Sequence, residues 1–338
     1  MTLLKHGDAF DRAYFFYALK GWESYLKGQT SGSGIPHVDK EVLGKLIVLR
    51  FDKPEQTKIA EILSTVDRAI EQTEALIAKQ QHLKTGLMQD LLTRGIDEHG
   101  DLRSEQTHQF KDSPLGRIPV EWEVNTIEKL VEGKIISDVQ DGNHGEMHPK
   151  SRDFVDEGIP FIMASDIADD FINVERAKKI TPEQYRRLRI GFSKPGDVLL
   201  SHKASIGFVA LVSSTLPEIM LTPQVTYYRV GRREALDPEY LAQFFRSPRF
   251  QVALKGLAKQ STRDYIGILA QQKLHVTYPN RLPEQELICT TLRSQDAHIR
   301  DLQNLQQKHR FLKTALMQDL LTGRKRVTEL LDETEAAA

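Results

Sequence analysis

The chain has a single cysteine among its 338 residues. Cys289 therefore has no partner for an internal disulfide, which fits the reducing cytoplasm where the protein is expected to reside. Its place in a helical segment gives it the part of a small buried apolar residue rather than of a nucleophile. No run of about 18 apolar residues exists, so no membrane span is expected. The start, MTLLKHGDAFDR, lacks an apolar stretch with a small-residue cleavage site, so no secretory leader is expected. Enzyme signatures are missing too. There is no phosphate-cradling GxxxxGK[ST], no GxGxxG after a strand, no GxSxG elbow, no cysteine triad and no Asn/Asp-Pro-Pro-aromatic tetrapeptide. The chain is expected not to be an enzyme.

Net charge is also nearly absent: 46 Lys and Arg stand against 47 Asp and Glu. The average conceals local excess. Residues 246–263 hold Arg246, Arg249, Lys255, Lys259 and Arg263 with no acid, a local +5, and residues 176–203 hold eight basic residues against Glu183 and Asp197, a local +6. A polyanion responds to the local field rather than to the sum. A solvated face is the plain alternative for either cluster.

What the chain does have is an internal repeat. LKTGLMQDLLT at 83–93 returns as LKTALMQDLLT at 312–322, and PEQ at 54–56 returns at 283–285, both at an offset of 229. Over the 40-residue block, 19 positions are identical without a gap. Each copy reads as one helix, Pro54 to Thr93 and Pro283 to Thr322. Proline stands in the first turn, Glu55 and Glu284 near the positive end of the dipole, and Gly95 and Gly323 act as stops. Apolar residues recur in steps of three and four (Leu63, Val66, Ile70, Ile77, Leu87, Leu91; Ile288, Leu292, Ile299, Leu302, Leu316, Leu320), the seam of a coiled coil. Forty residues make a helix of roughly 60 Å, too polar to stand in a core, and its copy is the natural partner in an antiparallel pair. The similarity continues upstream, so that residues 11–93 parallel about 237–322.

Between the copies, residues 96–114 are polar and read as a linker, and LGRIPVEW opens a domain with Trp122 as a buried anchor. Strands are expected at 159–164, 197–202, 206–212 and 225–230, and helices at 182–189 and 238–254. The fold class is α+β: a mixed α/β domain flanked by two long helices in an antiparallel coiled coil. In DVQDGNHGEMHP, His144 and His148 bracket Glu146, but Gly142, Gly145 and Pro149 break any helix that could align the rings, so no metal is expected. This polar loop, continuing to Lys150 and Arg152, suits a backbone or base edge. Ser201, His202, Lys203 and Ser205 end a strand in a loop suited to phosphate contact, with an ordinary hairpin turn as the alternative. KQSTRDYIG supplies Lys259, Thr262 and Arg263, the last able to grip guanine bidentately, and closure of the domain is its alternative reading. Gln140, Asn143 and Gln224 are of the types that read adenine.

A reading domain between two near-identical helices, each opening PEQ and closing LKTxLMQDLLT, together with GRIPVEW and DGNHGEMHPKSRDFVDEGIPFI, resembles the specificity subunit of type I restriction-modification enzymes. The resemblance implies a DNA-binding, non-catalytic protein that needs no cofactor. It implies two methyltransferase subunits docked on the helices, around Leu83, Leu87, Met88, Leu91 and Leu312, Leu316, Met317, Leu320, and a restriction/translocase subunit joining them. It divides the chain into 1–50 (the end of a first target-recognition domain), 51–95 (first conserved helix), the 96–114 linker, 115–279 (a complete target-recognition domain), 280–324 (second helix) and an acidic tail, 325–338. The family has two such domains where this sequence shows one. Pairing with a second copy, completion by a separately encoded fragment, and loss of function are the readings this leaves. A coiled-coil module or decoy that binds methyltransferase subunits without reading DNA is the alternative function; a metal-dependent nuclease at His144, Glu146 and His148 would have to cleave DNA alone.

Overall fold

A computed structural model describes residues 8–29, 38, 40–168, 171–259 and 265–331, so Thr262 and Arg263 lie outside the described residues. The chain divides into two compact units, residues 1–81 with 297–338, and residues 82–296. The helices are α1 (Arg12–Gly21), α2 (Glu23–Gly28), α3 (Lys40–Gly44), α4 (Lys53–Leu91), α5 (Ile127–Glu132), α6 (Pro182–Arg187), α7 (Pro238–Arg246), α8 (Pro248–Ala258), α9 (Ile268–Gln272) and α10 (Leu282–Leu321). The long helices α4 and α10 match the expected spans to within two residues at each end. Each is followed by a glycine in the left-handed region, Gly95 at φ 67° and Gly323 at φ 70°. The helix expected at 238–254 is two. Ser247 ends α7 and caps α8, and Pro248 takes the first helical position, where its missing N–H costs nothing.

In the first unit the PEQ triplet explains itself. The start of a helix leaves backbone donors unsatisfied, and buried polar groups must find partners. Gln56, fully buried, accepts from the Asp11 amide (2.6 Å) and donates to the carbonyls of Phe51 (2.7 Å) and Ala9 (3.1 Å). Glu55 accepts from the Arg326 guanidinium (2.7 and 2.6 Å) and from the Val327 amide (3.4 Å), just past the end of α10. The Arg326 hydrogen bonds hold the Glu55 carboxyl below its ordinary pKa against the opposing effect of burial. The start of one long helix is thus tied to the tail of the other. Asp67 pairs with Lys313, and Glu74 with Arg310 at 2.8 Å, so the partner numbers fall as the α4 numbers rise and the helices run antiparallel. Tyr14, Tyr17, Ile59, Leu63 and Leu320 form the unit's core.

The second unit repeats the scheme with the helices exchanged. Gln285 accepts from the Asp237 amide (2.8 Å) and donates to Ala235 (2.9 Å) and Pro279 (2.8 Å). Glu284 takes the Arg103 guanidinium, the Trp122 indole N–H (3.1 Å) and the Ile96 amide (3.2 Å), just past the end of α4. Lys84 pairs with Asp296, the counterparts of Lys313 and Asp67. A methyl at Gly95 would strike the Glu284 carboxylate and the Trp122 ring. The 96–114 stretch is therefore anchored. Ile96 and Arg103 are buried, Ile96 bridges Leu102, and β1 (Phe110–Lys111) pairs with β2 (Ile118–Pro119).

The strands that follow are β3 (Trp122–Thr126), β4 (Ile136–Asp141), β5 (Ile159–Ile162), β6 (Ile167–Ala168), β7 (Phe171–Ile172), β8 (Lys178–Ile180), β9 (Phe192–Ser193), β10 (Asp197–Ser201), β11 (Val209–Leu211), β12 (Ile219–Leu221), β13 (Val225–Val230) and β14 (His275–Pro279). Two four-stranded sheets result, ordered β11-β10-β13-β4, all antiparallel, and β8-β5-β12-β9, in which β5 and β12 are parallel. The first sheet is covered on both faces, which is why DVLLS and VTYYRV show no alternation. Val198, Leu200, Tyr228 and Val230 face a core shared with α7, α8, Met88, Leu92 and Leu292; Leu199, Val225 and Tyr227 face Ile162 and Leu221 of the second sheet. The strand β14 pairs with β3 over five residues, His275↔Thr126 to Pro279↔Trp122, so the sequence between them begins and ends in one ladder. Side chains of Glu284 and Arg103 are 9% and 7% exposed. Glu284→Ala, which strands Arg103 in the interior, is expected to lower stability by about 3–5 kcal/mol in urea unfolding. Glu55→Ala should cost less, because Arg326 is 53% exposed and returns to water.

Candidate nucleic-acid interface and docking grooves

One end of the first sheet gathers several of the residues singled out by sequence. There the chain leaves β4 after Asp141 and β10 after Ser201, and enters β13 at Val225. The turn before β13 fastens both departing loops. Gly142 N–H donates to the Val225 carbonyl (2.9 Å), Asn143 N–H to Leu221 (2.7 Å) and His202 N–H to Gln224 (2.9 Å). The segment before α9 joins them, with Ile266 N–H on the His202 carbonyl (3.0 Å) and Lys203 bridged to Tyr265. The Lys203 ammonium lies 6.0 Å from the centre of the Tyr265 ring, and Tyr265 is 41% exposed. Lys203 and Ser205 are exposed on this loop, as are His144, Lys150 and Arg152 on the loop after β4 and Lys259 at the end of α8. Exposed cations with an aromatic face suit contact with a nucleic-acid backbone.

Two of the three amides expected to read adenine are engaged within the protein through their side-chain oxygens. Gln140 accepts from the Gly191 amide (3.1 Å) and Gln224 from the Ala164 amide (3.0 Å), while Asn143 is buried. The oxygens of Gln140 and Gln224 thus hold loops in place. His202 is fully buried, so its ring does not reach a phosphate as the sequence suggested. It lies beneath the loop, 3.5 Å from Asp141 and 5.5 Å from the Tyr265 ring. Asp141 accepts from Thr226 (2.6 Å), Gln271 donates to Thr226 (3.2 Å) and to the Ile266 carbonyl (2.8 Å), and Tyr228 donates to Gln271. This buried network fixes the floor under Lys203 and Tyr265. Its members lie up to 130 residues apart in sequence (Asp141 to Gln271), and no local pattern marks them. Burial lowers the His202 pKa from 6.5, with Asp141 opposing. His144 and Glu146 are exposed while the His148 ring bonds the Asn143 carbonyl (2.9 Å), and the three are not brought to ligand spacing. Among the described residues, the one cluster with ligand spacing is Asp237, Glu239 and Cys289; Asp237 caps α7, Glu239 pairs with Arg293 at 2.9 Å, and burial raises the Cys289 thiol well above its ordinary pKa.

The repeat builds a groove in each unit. In the first, about 730 Å³, Met317, Gln318, Leu321 and Thr322 of the α10 end face Ala18, Gly21, Trp22 and Glu23 at the α1–α2 junction. In the second, about 360 Å³, Met88, Gln89, Leu92 and Thr93 of the α4 end face Phe244, Ser247, Pro248 and Arg249 at the α7–α8 junction. The four helix residues correspond at offset 229 and the four junction residues at offset 226. Among the residues expected to dock a partner, Leu83 and Leu312 are exposed, Leu87, Leu316 and Met317 are half-buried, and Met88, Leu91 and Leu320 are buried. Leu91 and Leu320 belong to the cores. Beside them, Gln89, Gln318 and Thr322 are exposed and Thr93 is half-buried.

A mixed sheet domain hung between the copies of a duplicated long helix defines a class. Solved structures share the fold: a type I restriction-modification S subunit from M. genitalium (TM-score 0.57, 16% identity, 93% of this chain and 73% of that one) and a chain from a study of type I system assembly (TM-score 0.54, 16% identity, 93% and 72%). Residues 3–79 match the family model described as type I restriction modification DNA specificity domain. The chain is 29% identical over 324 residues to the MjaVIII specificity subunit of Methanocaldococcus jannaschii, covering 95% of this chain and 72% of that protein. It is 22% identical over 290 residues to the EcoBI specificity subunit of Escherichia coli, covering 83% and 58%. The chain is similar over most of its length to specificity subunits of type I restriction enzymes, the resemblance that its repeated helix carries.

The buried imidazole yields a test. Unfolded, His202 gains a proton near pH 6.5; folded, it does so only at lower pH. Its contribution is therefore complete above pH 6.5 and is lost as pH falls through the window down to the depressed folded value. Thermal melts between pH 5 and 8 should show the His202→Gln chain losing less stability on acidification than the parent; equal slopes would contradict the assignment.

Proposed function

We propose that this chain confers DNA specificity on a type I restriction-modification assembly. It reads double-stranded DNA through loops within residues 115–279, and it holds two methyltransferase subunits at its two grooves; a restriction/translocase subunit completes the complex. The carrying observation is the groove built twice from corresponding residues, which suits two copies of one partner. The chain's own part is binding and positioning, and the methyl donor and ATP belong to the partners. Support for DNA reading lies in the exposed cations and Tyr265 on loops held by the buried Asp141–Thr226–Gln271 network, and in kinship to specificity subunits.

The decoy reading shares the grooves but needs no DNA contact, and Lys203 separates the two. Lys203→Ala is expected to weaken DNA binding by the complex and to reduce the slope of log K against log salt by roughly one, with assembly intact. Unchanged DNA affinity would favour the decoy. Docking is tested at exposed apolar residues on the rims: Ile47→Asp in the first groove and Val252→Lys in the second should each remove one methyltransferase subunit from a mass-resolved complex. Together they should remove both.

A further inference from the structure

The two grooves share a helical wall but differ in charge across it. Where the first has Glu23, paired with Lys27 at 2.7 Å, the second has Arg249. The Arg249 guanidinium is half-buried and its Nη1 nitrogen is shut off from solvent without a hydrogen-bond partner. No ion pair reaches it among the described residues, and burial alone holds its pKa below the ordinary arginine value. A half-desolvated cation with no partner is costly to keep, and a carboxylate relieves that cost more fully than water does. Around it the groove is apolar. Met88, Leu92 and Phe244 line it, and Val252 at the rim is 72% exposed.

We propose that the groove of residues 88–93 and 244–252 receives an apolar helix face carrying one Asp or Glu, and that this carboxylate docks on Arg249. The inference rests on the methyltransferase docking reading and adds the chemistry that the partner must present. A DNA phosphate would satisfy Arg249 but would leave Met88, Leu92 and Val252 facing a polyanion. An amphipathic helix satisfies both parts of the groove. The first groove, with Glu23 at the corresponding place, makes no such demand, so the two docking events differ in their dependence on charge.

The test uses the full chain and its cognate methyltransferase subunit. Arg249→Glu is expected to weaken the second association roughly thirtyfold or more while the first is unchanged. Arg249→Met should raise the melting temperature of the free chain, since a half-buried unpaired charge is removed, and yet weaken the same association. A structural role for Arg249 would lower that melting temperature instead and would overturn the proposal. If both Arg249 variants bind two subunits normally while Val252→Lys loses one, docking stands and the carboxylate is wrong. If Val252→Lys also binds two, the docking reading itself fails. If the Arg249 variants keep both subunits but lose DNA affinity, the ligand is phosphate and the proposal is overturned.

Discussion

Two glutamates with largely enclosed side chains, each closing the gap between the start of one long helix and the tail of the other, are the constraint on which the remaining architecture depends. Glu55 holds Arg326 and the Val327 amide; Glu284 holds Arg103, the Trp122 indole and the Ile96 amide. Each replaces scattered unsatisfied groups with one carboxylate that serves several donors in a region of low dielectric, where charge-assisted bonds are strong. The adjoining glutamines complete the fastening by holding an N-cap aspartate and the end of the strand or loop that leads into the helix. Tyrosines do the same one turn on: Tyr14 donates to the Leu49 carbonyl (2.8 Å) and Tyr240 to Thr277 (3.1 Å). Duplication has therefore copied a set of bonds, not merely a helix.

The repeat makes most of this framework legible from sequence. The proline, glutamate and glutamine of PEQ, the heptad apolar residues and the closing glycines are all local marks, and the helix limits follow from them. The core strands β10 and β13 also announce themselves, because continuous apolar runs are what burial on both faces requires. The Ser247–Pro248 break was equally local, a cap followed by a residue fit only for the first turn, yet the apolar spacing carried the expectation of one helix through it.

The candidate site was less legible, for a physical reason. Gln140, Asn143 and Gln224 have side chains capable of reading a base, but the oxygens of Gln140 and Gln224 meet the backbone amides of Gly191 and Ala164, brought near by folding, and Asn143 is buried. Residue type records capacity and not use. The same holds for Arg103, whose partner Glu284 lies 181 residues away, and which turns a polar stretch that reads as a linker into an anchored one. Along the helix ends, the phase of the turn decides between core and surface: Leu91 and Leu320 go inward while Gln89 and Gln318 go outward.

The ladder of β3 against β14 brings Trp122 opposite Pro279, so a stretch of more than 150 residues leaves and returns at one place. A sequence inserted between these strands leaves and returns at one ladder, and within it Ala235, Asp237 and α7 are tied to the ends of the long helices. Loops remote from that ladder and from the α7–α8 contact can change length and sequence without moving the ends that meet the long helices.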